Sequence, residues 1–393
     1  MSYYILAIIC FIILIAYIFE LTSRFSKIPG VILLMSLGLG LRYLSNQLNI
    51  SIPDLSILLP VMGTLGLILI VLEGSLDLTI SRENLNLIKT SFASAAILLV
   101  IFIVLFGFFL CYFEHFPIRM SILNAIPFGI ISGAVAIPSA LYLNSNDREF
   151  IVYESSVSDI LGILLFNFMV FNELTLGKGI VLFIVEVIVS VIFSLLISLG
   201  LAFMLHKIGH HVKYVIIITL VILVYVLANL IHWPSLLVVL IFGLILNNNR
   251  LFQTKYIKNH IDIKTFNINL RAFKQITGEL TFLVRSFFFL IFGFYTSIVD
   301  LLNLQNLISS VSIIFSIFLL RGLFLRFILH KPLTPLFYFA PRGLITILLF
   351  LSIPAGLKLP FMSEGLITQI IFITIFIMVF GNFISQKKLV HSE

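Results

Sequence analysis

The stretch Tyr153-Glu154-Ser155-Ser156-Val157-Ser158-Asp159-Ile160-Leu161-Gly162 sets two carboxylates and three serine hydroxyls at the head of an apolar run that continues to Phe171. An aspartate at the centre of a membrane helix costs roughly 3 kcal/mol on insertion scales, so an acid kept there points to function. At 100° per residue, Ser155 and Asp159 share one face of a helix, while Glu154 and Ser158 share another. The Asp159 face reads as a site for a proton or a cation, either of which neutralises a buried carboxylate. The Glu154 face reads as one half of an internal ion pair. Polar side chains that merely glue helices together would use the same residues.

Other charged residues inside apolar segments are few: Glu73, Glu186, Arg285, Arg321 and Arg342, with Glu279 at the start of one. Arg342 lies in Ala340-Pro341-Arg342-Gly343, where proline and glycine predict irregular backbone. An arginine stays charged at that depth and needs an acceptor, and Glu154 is the expected partner. Arg285 is the second cation expected to face the bundle, either pairing with Asp159 in the cation-free state or serving structure alone. Arg321 and Glu186 have no polar neighbours in sequence and read as snorkelling or subunit-contact residues. A sodium-sized ion takes several hard oxygen ligands. Asp159, Ser155, Ser132 of Ser132-Gly133-Ala134, and Glu73 of Val71-Leu72-Glu73-Gly74-Ser75 would supply them, although Glu73 could equally be an interfacial acid.

The elements that position these residues follow from composition. The chain has 393 residues, 61% hydrophobic and 10% charged, with 40 phenylalanines, and a mean hydropathy of +1.20. Soluble domains carry about 25% charged residues, so this is an all-α polytopic membrane protein. Apolar runs of about 20 residues predict about 13 transmembrane helices: near 3–20, 28–45, 57–77, 92–113, 121–143, 152–172, 178–206, 213–231, 233–248, 278–300, 305–329, 336–357 and 364–386. Residues 1–393 then form a single transmembrane domain, with 249–277 as a cytoplasmic connection that is partly an amphipathic surface helix. Residues 1–19 read as a retained first helix and not a signal peptide.

Charge and composition narrow the function classes. The net charge of +7 collects in loops, which favours a topology signal over a nucleic-acid partner and predicts an external N-terminus and a cytoplasmic C-terminus in a bacterial-type plasma membrane. Cys10 and Cys111 both lie in apolar segments, which argues against a disulfide framework or metal cluster. The eight histidines fall in loops or at their edges, so no constellation for an intramembrane enzyme appears.

Ala136-Ile137-Pro138-Ser139-Ala140-Leu141 and Ser352-Ile353-Pro354-Ala355-Gly356-Leu357 echo one another. Proline and small residues at matching places in two hydrophobic segments are expected of broken helices in transporters built from repeats, and also of simple kinks. Pro138 and Pro354 mark the two segments expected to break, and in the first of them Ser132-Gly133-Ala134, just before Pro138, is the mobile stretch where the helix would open.

The motifs resemble those of the sodium/proton exchanger branch of the monovalent cation/proton antiporter superfamily. Glu154-Ser155-Ser156-Val157-Ser158-Asp159-Ile160-Leu161-Gly162 is similar to its Glu-Ser-x-x-Asn-Asp-x-x-Gly signature, Leu72-Glu73-Gly74-Ser75-Leu76 to Phe-Glu-Gly-Gly-Leu, and Ala340-Pro341-Arg342-Gly343 to Gly-Leu-Arg-Gly. Ile28-Pro29-Gly30 with Gly38 and Gly40 resembles its second helix. The resemblance implies an inverted-repeat antiporter fold with crossing broken helices, and a core domain (helices roughly 92–172 and 305–386) beside a dimerisation domain in a homodimer that moves like an elevator. It makes Asp159 the carrier, Glu73 and Ser155 parts of the ion site, and Glu154 with Arg342 a structural pair. Ser158 and Ser132-Gly133-Ala134 depart from the pattern, and one acidic ligand is missing. The reading is a secondary antiporter exchanging Na+, Li+ or K+ for protons, one for one, without a cofactor. A gated potassium pathway and a transport-inactive membrane sensor of the same fold are the alternatives.

Overall fold

Leucine, isoleucine, valine and phenylalanine in unbroken runs leave backbone polar groups no partner in lipid but each other, so such runs fold as helices. The computed structural model describes residues 2–26, 28–49, 57–78, 85–140, 143–171, 213–231, 235–248 and 263–390, with scattered residues between 185 and 200. The span expected near 178–206, with Glu186, falls largely outside the described residues, as does 249–262. The helices are α1 (Ser2–Ser26), α2 (Gly30–Gln47), α3 (Leu58–Asp77), α4 (Leu85–Tyr112), α5 (Ile118–Gly129), α6 (Gly133–Ser139), α7 (Ser145–Phe171), α8 (Lys213–Leu230), α9 (Ser235–Asn247), α10 (Ile263–Tyr295), α11 (Ile298–Leu301), α12 (Leu304–Leu323), α13 (Leu344–Leu351) and α14 (Glu364–Val390). Six helical segments among the described residues are long and apolar enough to cross a membrane.

Of the expected connection over 249–277, the described part is helical. Residues 263–277 belong to α10, continuous with the span that follows. Phe266, Leu270 and Phe273 are buried at helical spacing while Arg271 is exposed, so the basic stretch is one face of an amphipathic helix.

The chain divides into two compact units. One comprises Leu65–Lys89 and Ile160–Phe282. In it α8 packs on α9, Asn247 and Asn248 donate to the carbonyl of Leu78, and Lys274 lies 3.6 Å from Asp77. The other comprises Met1–Thr64, Thr90–Asp159 and Leu283–Glu393. There α12 packs along α14 and α13 against α5. Helix α2 meets α10 backbone to backbone, since a Cβ on Gly38 would collide with the Leu290 carbonyl and one on Gly293 with that of Met35. Small residues permit this approach.

This second unit holds two interrupted helices. Residues 130–132, extended at Ile130 and Ser132, separate α5 from α6, and the non-helical residues 339–343 precede α13. They touch, for the Ser132 amide donates to the Pro341 carbonyl at 2.9 Å. The first break adjoins Ser132-Gly133-Ala134 and the second takes in Ala340-Pro341-Arg342-Gly343, the stretches expected to be irregular, and neither falls at Pro138 or Pro354. Pro138 lies inside α6, and exposed Pro354 precedes a short turn at Ala355–Leu357 after α13 has ended. The physical reason is that a proline near a helix end removes one hydrogen bond without unwinding the turn before it. Pro138 has no N–H for the carbonyl of Ala134, four residues earlier, and the Arg285 Nη1 lies 3.5 Å from that oxygen. On the far side of the crossing, buried Asn124 of α5 donates to the Leu357 carbonyl at 2.7 Å and accepts from the Leu359 amide at 3.2 Å.

Candidate ion site at the crossing of two broken helices

Unwound backbone inside a membrane protein must find acceptors for its amides. Those of residues 131–133 are each satisfied, in three different ways. Ile131 donates to Ser158 Oγ at 3.0 Å, Ser132 to the Pro341 carbonyl, and Gly133 to Asp159 Oδ2 at 3.0 Å. Two neighbouring side chains of α7 thus hold one break. Ser158, where the resemblance expects asparagine or aspartate, still supplies the acceptor. The second break is held likewise from α14, where Thr374 Oγ1 accepts from the Arg342 amide at 3.1 Å.

Asp159 is 4% exposed. Its Oδ1 has no hydrogen-bond partner, and neither has buried Ser132 Oγ. Ser155 shares the face, as helical spacing predicts. A Cβ built on Gly133 would stand 2.7 Å from Asp159 Oδ2 and 3.6 Å from Ser155 Oγ, so only glycine leaves the carboxylate its place. Ser155 donates to the Ile151 carbonyl at 2.8 Å, which leaves its lone pairs able to accept or to coordinate. Gly343, across the crossing, abuts the Ser132 side chain. Asp159, Ser155 and Ser132 are therefore gathered around Gly133. Glu73 lies half-buried in the other unit, where a Cβ on Gly278 would come within 3.4 Å of its Oε1.

The pairing expected for Glu154 is corrected. Its carboxylate is forked by Arg321, Nη1 at 3.1 Å and Nη2 at 2.8 Å, and Ser94 donates a short bond to Oε1. Arg321 Nε donates to the Leu336 carbonyl at 2.8 Å. Arg321 is 1% exposed, so it neither snorkels nor waits for a subunit. Its signal in the sequence was depth: a guanidinium eight residues from the predicted end of a span has to be paired inside. Ser94 carried no signal, since a serine in an apolar helix is unremarkable. Arg342 instead stitches the crossing together. Its Nε donates to the Phe128 carbonyl at 2.6 Å and its Nη1 to that of Ala340 at 2.8 Å. The Phe128 carbonyl lies in the last turn of α5, where helix carbonyls lack intrahelical donors and a cation is favoured. Arg285 does not meet Asp159, and its Nη2 lies 3.8 Å from Glu20 of α1.

The arrangement joins one buried carboxylate to hydroxyl and backbone groups, with a separate, internally neutral ion pair beside it. Such a carboxylate can exchange one small cation for another. The comparisons agree with a transporter. In fold the chain is similar to the sodium proton antiporter MjNhaP1 from Methanocaldococcus jannaschii in its structure at pH 8, with a TM-score of 0.70 and 20% identity over 97% of this chain and 98% of that one. It is equally similar to the electron-microscopy structure of that antiporter, with a TM-score of 0.70 and 20% identity over 100% and 97%. No curated protein matches. Residues 10–386 match the family described as sodium/hydrogen exchanger, transmembrane, and the chain, an integral membrane protein, belongs to the sodium/proton exchanger family.

Proposed function

We propose that the protein exchanges a monovalent cation, Na+, Li+ or K+, for protons, one for one, with Asp159 as the alternating carrier. The observation that carries this reading is the pair of orphaned oxygens at the crossing. Asp159 Oδ1 and Ser132 Oγ are buried without hydrogen-bond partners, and a buried polar atom left so costs about 1–3 kcal/mol. A proton on Oδ1, or a cation bound between such oxygens, removes that cost and cancels the carboxylate charge. Either occupant thereby makes the site fit to pass from one side of the membrane to the other.

In this reading Ser155 and Ser132 complete the cation's ligands, and the assignment of Glu73 to them rests on the family resemblance alone. Asp159 is the exchanging acid and Glu154 is taken up in its fork with Arg321, so one charge is exchanged for one. Residues 1–393 act as one transmembrane domain whose core, roughly 92–172 and 305–386, moves in a homodimer. The N-terminus lies outside and the C-terminus in the cytoplasm of a bacterial-type plasma membrane. The test is Asp159→Asn in proteoliposomes with a pH-sensitive dye inside. Na+-, Li+- and K+-driven proton movement should fall to the level of protein-free vesicles, and movement at the wild-type rate ends the mechanism.

A further inference from the structure

Among the described residues four ionisable side chains are more than nine-tenths buried: Glu154, Asp159, Arg321 and Arg342. All but Asp159 form one group. Arg321 takes Glu154 in a fork, and the charges acting on Arg342 are those of Glu154 and Arg321. Two guanidiniums against one carboxylate leave this group with an excess positive charge. Neither guanidinium sheds its proton at biological pH, and a buried charge without a partner is costly. The Phe128 and Ala340 carbonyls that accept from Arg342 bring dipoles but no negative charge. Asp159 is engaged elsewhere, with Oδ2 on the Gly133 amide and Oδ1 without a partner.

The excess charge adjoins a cavity. Arg321 and Arg342 both border a space of about 20 Å³, walled otherwise by apolar residues that include Phe102, Ile131 and Ile317. About 10–15 Å³ is enough for one water molecule, so the space suits one small solute. Its lining side chains offer hydrogen-bond donors and no acceptor. Nε and Nη1 of Arg342 each donate to a carbonyl, and a guanidinium has donors beyond those. Donors without acceptors, beside a net positive charge, select an anion over a cation or a water. We infer that this cavity binds a small monovalent anion, a halide such as chloride, as the counter-ion of Arg321 and Arg342. Apolar walls return little of an ion's hydration, so weakly hydrated bromide binds more tightly than strongly hydrated fluoride, and a larger divalent anion such as sulfate is excluded. The anion joins what the guanidiniums already hold, since Arg321 reaches α7 and the Leu336 carbonyl, and Arg342 the last turn of α5 and the second break. Its binding therefore shows in the stability of the fold, independently of the antiport reading above.

The experiment melts the full-length protein in detergent at fixed pH, Na+ concentration and ionic strength, with gluconate replaced stepwise by chloride, bromide, fluoride or sulfate. The melting temperature should rise by several degrees and saturate with chloride, rise further with bromide, and stay level with fluoride and sulfate. A melting temperature indifferent to the anion overturns the inference, and so does an equal rise with sulfate. Arg342→Gln should abolish the chloride response, whereas Arg285→Gln, whose guanidinium lies against Glu20 and the Ala134 carbonyl, should keep it. A full response in Arg342→Gln overturns the site. If that variant does not fold, anomalous diffraction from wild-type crystals grown in bromide decides. A peak within hydrogen-bond distance of both guanidiniums supports the site, and a cavity that holds only water overturns it. Asp159→Asn separates the two proposals. It should keep the chloride response whether or not it transports, so surviving transport ends only the antiport mechanism, and a missing anion response in the wild type ends only the anion site.

Discussion

Removing Arg321 tests the buried charge pairing at its strongest point. Its guanidinium makes three charge-assisted hydrogen bonds, two to Glu154 at 3.1 and 2.8 Å and one to the Leu336 carbonyl at 2.8 Å. With Arg321 gone, Glu154 keeps only the bond from Ser94, and at 1% exposure water does not replace what is lost. A buried charge stripped of its partner destabilises by about 3–5 kcal/mol. Arg321→Gln and Glu154→Gln should each lose stability in that range. The double variant strands neither charge, so it should cost less than the sum of the two by at least about 2 kcal/mol. The same cycle drawn between Glu154 and Arg342, which share no hydrogen bond, should show less than half that coupling. The assay is unfolding in mixed micelles with increasing SDS, followed by far-UV circular dichroism. Arg321→Gln within about 1 kcal/mol of wild type would refute the pairing, and so would a larger coupling of Glu154 to Arg342.

Ser158→Ala removes the acceptor of the Ile131 amide and should cost about 1–3 kcal/mol, lowering kcat more than it alters cation KM; Ser158→Asn, which restores an acceptor, should recover most of the rate. Ser155→Ala loses a bond within its own helix turn, so its melting temperature should stay near wild type while cation KM, measured by dye quenching, rises several-fold. Gly38→Val forces a side chain into the α10 backbone and should sharply reduce the monodisperse fraction in detergent on size-exclusion chromatography, whereas Gly40→Val, where a Cβ meets nothing within 4 Å, should not.

Hydropathy made the spans legible, and helical geometry made the two faces of α7 legible, because both are local properties of the chain. Ser155 and Asp159 do share a neighbour in Gly133, and Glu154 does point to a different set. The irregular stretches at 132–134 and 340–343 were legible from serine, glycine and proline, but the partners that hold them open were not. Proline is a visible breaker, yet unwinding occurs where amides and carbonyls find outside partners, and Ser158, Thr374 and the Pro341 carbonyl come from other parts of the sequence. The choice between Arg321 and Arg342 failed for the same reason. Arg342 advertises itself with proline and glycine, but those mark bent backbone whose carbonyls can satisfy the guanidinium. Arg321 sits in the last turn of α12, which runs on into a π-helical turn at Phe324–Ile328, with no proline or glycine motif to announce it, and it meets the Glu154 carboxylate as well as the Leu336 carbonyl.

The two breaks are held by one device, a side-chain oxygen on the helix that follows, and they differ in the kind of oxygen used. Thr374 offers a hydroxyl oxygen to the Arg342 amide, a group that carries no charge. At the other break the acceptor for Gly133 is a carboxylate, which has two oxygens where the fold needs one. Oδ2 keeps the unwound chain in place while Oδ1 has no partner, and under the proposed antiport it is Oδ1 that takes the cargo. Neutralising Asp159 by a proton or a cation on Oδ1 therefore need not release the backbone, and the site can change occupant without losing its shape. This separates two substitutions usually treated alike. Asp159→Asn keeps an oxygen for the Gly133 amide and should remove exchange at little cost in stability. Asp159→Ala also strands that amide, and should add about 1–3 kcal/mol of destabilisation to the same loss of transport.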